Sequence, residues 1–483
     1  MSGSTGSLDL GSVENQDVFI QPVPLAWQNE ALLARGQPDG GLSVSFQGQR
    51  QSAGLLTRLL EYCAVTHSPE VKISGDDLIG AVAEGSSVQF WHCPQSRSIK
   101  KPTRMLKKTV CYQCESQEAA ENAAARVRQS SSWSASSSPP EIAVIINPHS
   151  GTGRAADCYW NVVKPIFAAA GLSTVEHTTT HAGHAPVIVQ QLQMHGLRAV
   201  VLVGGDGTVW EALQGYMARP DWKEAVQVPL AQIPAGSGNA LAANANTWSP
   251  VTAAWAVCKG KHTAFDVFSV VQPPAKRAFG FLSVAYGMIT NLDIGTEHLR
   301  WLGPLRFTYG ALQQILLRKS WSIRMAYYPA ELPAPHYRGS QADGPATPIL
   351  DRIDREAWTP NDHASNLPEG WHWVPTDQVQ MCVACNLPWL DLENNVAPHA
   401  SFGSGAMDLV YTSELQRLQG LQVLLKASDG THLNVKGVKL LKMRAFMLEP
   451  RSSGTWLAVD GEAIPRERVF IEVHPRLCRV ITA

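Results

Sequence analysis

The sequence predicts an α/β domain with a parallel sheet, followed by a mainly antiparallel β domain and preceded by a small α+β module. Three observations carry that prediction. From 141 to 262, short apolar β-rich runs alternate with helical stretches and end in glycine-rich turns, the pattern of a parallel sheet with crossover helices. From 263 onward, strand candidates follow one another with few helices between them, which points to antiparallel pairing. Ahead of both lies SSSWSASSSPP over 130–140, a Ser/Pro tract with nothing to bury.

The elements run as follows. Residues 1–40 are Gly-, Ser- and polar-rich and are expected to be disordered. Over 41–128, LSVSFQG, VQFWHCP and KTVCYQC read as strands and SQEAAENAAARVRQS as one Ala-rich helix. Short strands closed by a C-terminal helix resemble a pleckstrin-homology-like module; an unrelated small α+β cap is the other reading. A linker at 129–140 follows. In the domain at 141–262, EIAVIINP, STVEHTTT, RAVVLVGGDG and VPLAQIPAGSG read as strands. Helices are expected from Ala155 to Ala170, over HAPVIVQQLQMHG, over TVWEALQGYMA and after the Gly-Ser-Gly turn. In the domain at 263–483, FDVFSVVQ, RAFGFLSVAYGM, SIRMAYYP, QVQMCVACN, AMDLVYTS, KLLKMRAFMLEP, WLAVDGE and RVFIEVHP are strand candidates. Residues 329–378 interrupt them without any period and read as a long mobile insertion.

Composition narrows the function classes. Hydrophobic residues make up 45% and charged residues 17%, an ordinary globular balance. Lys+Arg total 40 against 41 for Asp+Glu, so the net charge of -1 gives no general attraction to nucleic acid, and no nucleic-acid partner is expected. No apolar run is long enough to span a bilayer. The N-terminal segment lacks a secretory pattern, and neither a myristoylation nor a prenylation motif is present. Nine scattered cysteines fit reduced thiols. These features predict a cytoplasmic protein, peripheral on intracellular membranes if it acts on lipid.

The chemistry concentrates in three turns. Val203-Gly204-Gly205-Asp206-Gly207-Thr208 follows one strand and opens a helix. Its glycines permit close backbone approach, and the helix start offers free N–H groups to a phosphate. Asp206 sits where a carboxylate accepts a proton from an attacking hydroxyl or helps to hold Mg²⁺. Ile233-Pro234-Ala235-Gly236-Ser237-Gly238-Asn239-Ala240 repeats the arrangement after the next strand, and Asn147-Pro148-His149-Ser150-Gly151-Thr152-Gly153 does so after the first. Three such turns on one edge of a parallel sheet form a polyphosphate cradle.

INPHSGTGR, GGDGTVWEALQGYMARPDW and IPAGSGNALAANA resemble the catalytic domain shared by diacylglycerol, ceramide and sphingosine kinases. AYGMITNLDIGTEHLRWLGPLRFTYG and VDGEAIPRERVFIEVHP resemble the sphingosine kinase branch in particular. The resemblance covers about 141–328 and 379–482. It implies a three-layer α/β kinase subdomain, a C-terminal antiparallel β-sandwich and an ATP-dependent sphingoid-base kinase using Mg²⁺. It implies Asp206 as general base. It places Asn147, Thr179, Gly204, Gly205, Gly207, Thr208, Gly236 and Ser237 at the nucleotide, with Glu211 steadying the loop. Arg300 and Arg306 fall near the transferred phosphate. Asp460, Gly461 and Glu462 return to the nucleotide, with Mg²⁺ near Asp206 and Asp460 but no assured direct protein ligand. Asp293 matches the acidic residue that recognises the sphingoid head group, and a carboxylate suits a protonated amine beside hydroxyls. Two positions depart from the branch: His149 replaces a basic residue, and Gly204 stands where serine is usual. The alternatives are a ceramide or diacylglycerol kinase, and a non-catalytic lipid-binding protein.

Other patterns read two ways. Cys111–Cys114 and Cys382–Cys385 are CxxC pairs, either zinc ligands or core thiols in strands. Leu415, Leu418, Leu421, Leu424 and Leu425, like Leu302, Leu305, Leu312, Ile315 and Leu316, form helical stripes, for the core or for a lipid chain. ALQQILLRKSWSIR also looks like a membrane-surface or calmodulin-binding segment, a weak pointer to such regulators. His177, His181 and His184 read as a solvated loop, and Lys101, Arg104, Lys107 and Lys108 as a strand edge or an anionic-lipid contact.

Overall fold

The computed structural model describes residues 76–96, 101–108, 112–114, 116–131, 141–272, 277–296, 305–331 and 367–483, with strand backbones at 23–27, 30–36, 42–47 and 70–73. The chain divides into two compact units, Met1–Pro94 with Leu106–Ala135, and Gln95–Met105 with Ser136–Ala483.

The first unit is an antiparallel sheet of β1 (Val23–Trp27), β2 (Glu30–Gly36), β3 (Leu42–Gln47), β4 (Glu70–Ile73), β5 (Leu78–Glu84), β6 (Ser87–His92), β7 (Lys107–Lys108) and β8 (Tyr112–Cys114), in the order β4-β3-β2-β1-β8-β6-β5 with β7 on β6. The helix Gln117–Ser131 packs Ala120, Ala124 and Val127 against Leu78, Ala81, Val88 and Phe90. Ser116 caps its start, accepting from the Ala119 N–H at 3.1 Å. β1 and β2 fall inside the segment whose composition predicts disorder. The apolar runs VPLAW and ALLA pair from Val23↔Ala34 to Trp27↔Glu30, a local signal that a forty-residue average hides. The helix runs on through Ser131 into the expected linker, and 132–140 lies outside the described residues.

The second unit opens with four parallel strands, β9 (Glu141–Ile146), β10 (Ser173–Thr178), β11 (Leu197–Gly204) and β12 (Leu230–Pro234), in the order β10-β9-β11-β12. Strand order reverses at β9, so the crevice beyond the ends of β9 and β11 is the topological switch point. Ala143, Ile145, Val200 and Leu202 face the helices His184–Gln191 and Asp206–Met217, whose Ala185, Val189, Ala212 and Leu213 complete one core layer. Helices Ala155–Cys158, Lys164–Ala169 and Pro250–Lys259 pack against β10, β11 and β12. The helix expected over 155–170 contains one π turn, Tyr159–Val163. Pro165, which has no N–H to give the preceding turn, is the second residue past it.

The rest is antiparallel: β13 (His262–Val271), β14 (Ala278–Gly280), β15 (Ser283–Gly287), β16 (Trp321–Pro329), β17 (His372–Trp373), β18 (Gln378–Val379), β19 (Met381–Cys385), β20 (Met407–Thr412), β21 (Val438–Pro450), β22 (Leu457–Val459), β23 (Glu462–Ile464) and β24 (Val469–Ile481). The largest apolar cluster of this part includes Phe268, Tyr286, Ile323, Leu409, Phe446 and Ile471. β24 pairs antiparallel with β13 along most of its length and meets β12 in parallel at Leu230↔Val480, so the two domains share one continuous sheet.

One expectation changes here, and two patterns that read two ways resolve. The interrupting segment is shorter than 329–378: β17 and β18 pair with β16, and Trp371 and Val374 are buried; 332–366 lies outside the described residues. Cys382 and Cys385, three apart on β19, point to opposite faces and enter different apolar clusters. Burial pushes the Cys382 thiol up to about 12, so both are core thiols; Cys114 is buried in the other unit and Cys111 lies outside the described residues. In the helix Arg417–Lys426 the buried residues are Gly420 and Val423, with Leu421 and Leu424 half-buried and Leu415 buried just ahead of the helix. A Cβ on Gly420 would lie 3.2 Å from Ile315, while Leu418 and Leu425, seven apart, are exposed.

Candidate active site

The three glycine turns meet at the switch point. A Cβ on Gly151 would lie 2.7 Å from the Ala235 carbonyl oxygen, and one on Gly236 only 2.3 Å from Gly205 Cα. Only glycine permits that approach. Polar bonds fix the rest: the Gly205 N–H donates to Ser150 Oγ at 2.8 Å, and Asn147 Nδ2 to Thr208 Oγ1 at 3.0 Å. Asn239 clamps the third turn, accepting from the Gly236 N–H at 3.0 Å and donating to its carbonyl at 2.9 Å.

Asp206 is the first residue of the helix Asp206–Met217 and is buried. Its Oδ2 accepts from the Ala240 N–H at 2.9 Å; its Oδ1 accepts from the Leu241 N–H at 3.3 Å and from Gln232 Nε2 at 3.2 Å. Burial raises its carboxyl to about 6 against the pull of these donors, and the charge of Asp391 adds to the rise. A carboxyl so tuned is ionised at neutral pH yet basic enough to accept a proton. Gln232 was not among the residues expected to matter. The signal was a lone polar side chain in an otherwise apolar strand; it is buried, and its Oε1 accepts from the Ala242 N–H at 2.8 Å.

The other expected residues fall into four groups. Gly204, Gly205, Gly207, Thr208, Asn147, Gly236 and Ser237 lie in or beside the three turns, with Ser237 exposed at the tip of the third. Thr179 is buried just past β10, its N–H on the Ile146 carbonyl at 2.9 Å, and Glu211 Oε1 accepts from the Gly183 N–H at 2.9 Å, holding the start of the next helix. Asp460 and Gly461, with φ of +51° and +86°, form the two-residue turn between β22 and β23, where Val459 pairs with Glu462. That turn brings Glu462 Oε1 to 3.3 Å from where a Cβ on Gly207 would stand. For Asp293 and Arg306 only the backbone is described, in the helices Met288–Asp293 and Leu305–Leu317, and Arg300 lies outside the described residues.

The Asp460 carboxylate is held by backbone amides. Its Oδ2 accepts from the Phe281 N–H at 2.8 Å, and its Oδ1 from the Leu282 and Ser283 N–H groups at 2.9 Å each. Three amides so engaged make it an anchor for the entry to β15. Burial raises its carboxyl to about 7, with the Asp206 charge adding to the rise. Among the described residues, no three or more His, Cys, Asp or Glu side chains converge to hold a metal ion.

Beyond the turns, Met288, Ile315, Trp321, Met381, Leu415 and Val423 line an apolar pocket beneath the helices Leu305–Leu317 and Arg417–Lys426. Tyr309, Leu312, Leu316 and Leu317 on the first helix, and Leu418 and Leu425 on the second, are exposed. Among the described residues no helix is long and apolar enough to cross a membrane.

The comparisons agree with this geometry. Residues 141–270 match the model of the diacylglycerol kinase catalytic domain, and 373–482 that of the YegS C-terminal NAD kinase beta sandwich-like domain. The chain is 30% identical to human sphingosine kinase 1 over 353 residues, covering 70% of this chain and 89% of that protein. It is 34% identical to human sphingosine kinase 2 over 466 residues, covering 71% of each. A solved structure described as a diacylglycerol kinase from Bacillus anthracis str. Sterne shares the fold, with a TM-score of 0.51 at 16% identity over 72% of this chain and 97% of that one. A doubly wound α/β domain with glycine turns meeting at a buried aspartate, an antiparallel domain joined to it by one sheet, and these relatives together show that the chain belongs to the sphingosine kinase family of lipid kinases.

Proposed function

We propose that this protein transfers the γ-phosphate of ATP to the primary hydroxyl of sphingosine or a related long-chain base, giving the base 1-phosphate. The observation that carries the reading is Asp206, a buried carboxylate raised to about 6 at the meeting point of three glycine turns. As the hydroxyl oxygen bonds to the γ-phosphorus, the bond to the β–γ bridging oxygen breaks, ADP leaves, and the hydroxyl proton passes to Asp206. The turn backbones, with Asn147, Thr179, Thr208 and Ser237, orient the nucleotide, and Arg300 and Arg306 meet the transferred phosphoryl. Asp206 and the Asp460–Glu462 turn would lie beside a Mg²⁺ carried on the nucleotide phosphates, which would offset their charge. Asp293 pairs with the protonated amine of the base. The apolar side chains of Met288, Ile315 and Met381 suit contact with part of its hydrocarbon chain. The exposed leucines suit brief contact with a lipid surface.

The test is phosphate transfer from labelled ATP to sphingosine, phytosphingosine, ceramide and diacylglycerol, with wild type, Asp206→Asn and Asp293→Asn. Transfer to a free base, lost in the first variant and weakened in KM for the base in the second, supports the reading. Transfer only to a neutral lipid keeps the base and overturns the role of Asp293. No transfer to any lipid overturns the whole.

A further inference from the structure

The segment Gln95–Met105 lies outside both family matches, yet it belongs to the catalytic unit. Its described ends pair, with the Ser96 N–H on the Thr103 carbonyl at 2.6 Å and a bridge between Gln95 and Arg104; 97–100 lies outside the described residues. Arg104 is buried, donates its backbone N–H to Thr252 Oγ1 at 2.9 Å, and stacks its guanidinium 3.6 Å from the Trp255 ring centre. Such a stack on an indole is a firm attachment, and it fixes the segment on the helix Pro250–Lys259.

Close to that attachment, Lys101 grips the turn that follows Trp389. Its Nζ donates to the Leu392 carbonyl at 2.5 Å and stands 5.5 Å from the Trp248 ring centre. Trp248 meets Trp389 edge-on at 5.1 Å. The turn that follows Trp389 is internally tied, since Asp391 Oδ1 accepts from the Glu393 and Asn394 N–H groups at 2.7 Å each. Trp389 is joined twice to Asn244: Asn244 Nδ2 donates to its carbonyl at 2.8 Å, and its N–H donates to Asn244 Oδ1 at 3.0 Å. Asn244 closes the five-residue helix Ala240–Asn244, whose first two N–H groups hold the Asp206 carboxylate. So short a helix has little rigidity of its own, and its aim depends on what grips its far end.

We propose that Lys101 is a positioning residue: through Trp248, the Trp389–Asn394 turn and Asn244, it holds the helix Ala240–Asn244 so that the Ala240 and Leu241 amides stay on Asp206. The proposal rests on Asp206 being the base. The groups facing Asp206 are the Ala240 and Leu241 amides, Gln232, and the Asp391 and Asp460 charges. With the amides loosened, the ionised carboxylate loses donors and its proton is held more tightly.

The experiment compares wild type, Lys101→Met and Lys101→Arg in the full chain by amide hydrogen exchange and by pH–rate profiles. In Lys101→Met, exchange should quicken about tenfold at 240–245 and 389–395 and stay as in wild type at 141–146 and 197–204. kcat should fall about five- to tenfold, with KM for ATP and lipid within about twofold. The acid limb of kcat should move to higher pH, and Lys101→Arg should restore both readouts. Wild-type exchange at 240–245 in Lys101→Met overturns the proposal. So does a general loosening with an unmoved acid limb, which would mark a purely structural residue. If wild type phosphorylates no lipid, the proposed function falls, and the exchange pattern alone decides whether Lys101 governs that helix.

Discussion

Replacing Gln232 with Met tests the tuning of Asp206. The side chain is of similar length and lies within a buried strand, so the change removes polarity more than volume. It deletes the Nε2 donor to Asp206 Oδ1, a 3.2 Å bond, and the Oε1 acceptor for the Ala242 N–H at 2.8 Å. A hydrogen bond to a charged group is worth about 1.5–3 kcal/mol, and the long distance puts this one near the lower end. About 1.5 kcal/mol of lost support for the ionised form moves the proton affinity by about one pH unit. The acid limb of kcat, set at about 6 by Asp206, should therefore rise to about 7. At pH 6 the ionised fraction falls from one half to about one tenth, so the rate drops about fivefold; at pH 8 it changes by about a tenth. The assay is kcat at saturating ATP and lipid from pH 5 to 9. A drop of equal size at every pH, with the limb unmoved, would refute the claim that Gln232 acts through the charge on Asp206.

Three further outcomes follow from the geometry. Asp460→Ala strands three buried N–H groups and should lower unfolding free energy by at least about 2 kcal/mol in urea, with the Mg²⁺ dependence of the rate unchanged; a shifted Mg²⁺ dependence at full stability would make it a metal ligand instead. Gly236→Ala forces a Cβ onto Gly205 and should abolish stabilisation by Mg·ATP in a thermal-shift assay while lowering stability by about 1–3 kcal/mol. Leu316→Asp with Leu418→Asp should reduce sedimentation with anionic vesicles at least about tenfold while leaving turnover of detergent-dispersed lipid within about twofold; unaltered sedimentation would remove these leucines from the lipid surface.

The parts legible in the sequence are those whose demands are local. Glycines at 151, 205 and 236 are required by backbone approach, so a turn read from composition alone lands where the strands converge. The Asp-Gly pair at 460–461 between β-rich runs is likewise a direct hairpin signal. What stayed hidden depends on partners far along the chain. Nothing near Gln232 tells that its amide serves Asp206, 26 positions away, and nothing near Asp460 tells that it clamps Phe281–Ser283. The helix Arg417–Lys426 failed for another reason. Its leucine spacing fits an inward stripe, but Gly420 sits against Ile315, and that contact leaves Leu418 and Leu425 facing outward. In the N-terminal segment, averaging over polar residues concealed β1 and β2.

The meeting of β12 with β24 has a consequence for biosynthesis. Leu230 finds its neighbour at Val480, 250 residues later, so as the chain emerges from the ribosome β12 stands as an uncovered sheet edge until those residues have been made. Loop closure over that distance is slow, and the nascent α/β domain exposes an apolar flank throughout. Nascent chains should therefore engage chaperones until β24 is free to dock, and a variant cut before Val469 should remain bound to them rather than fold as a shortened enzyme.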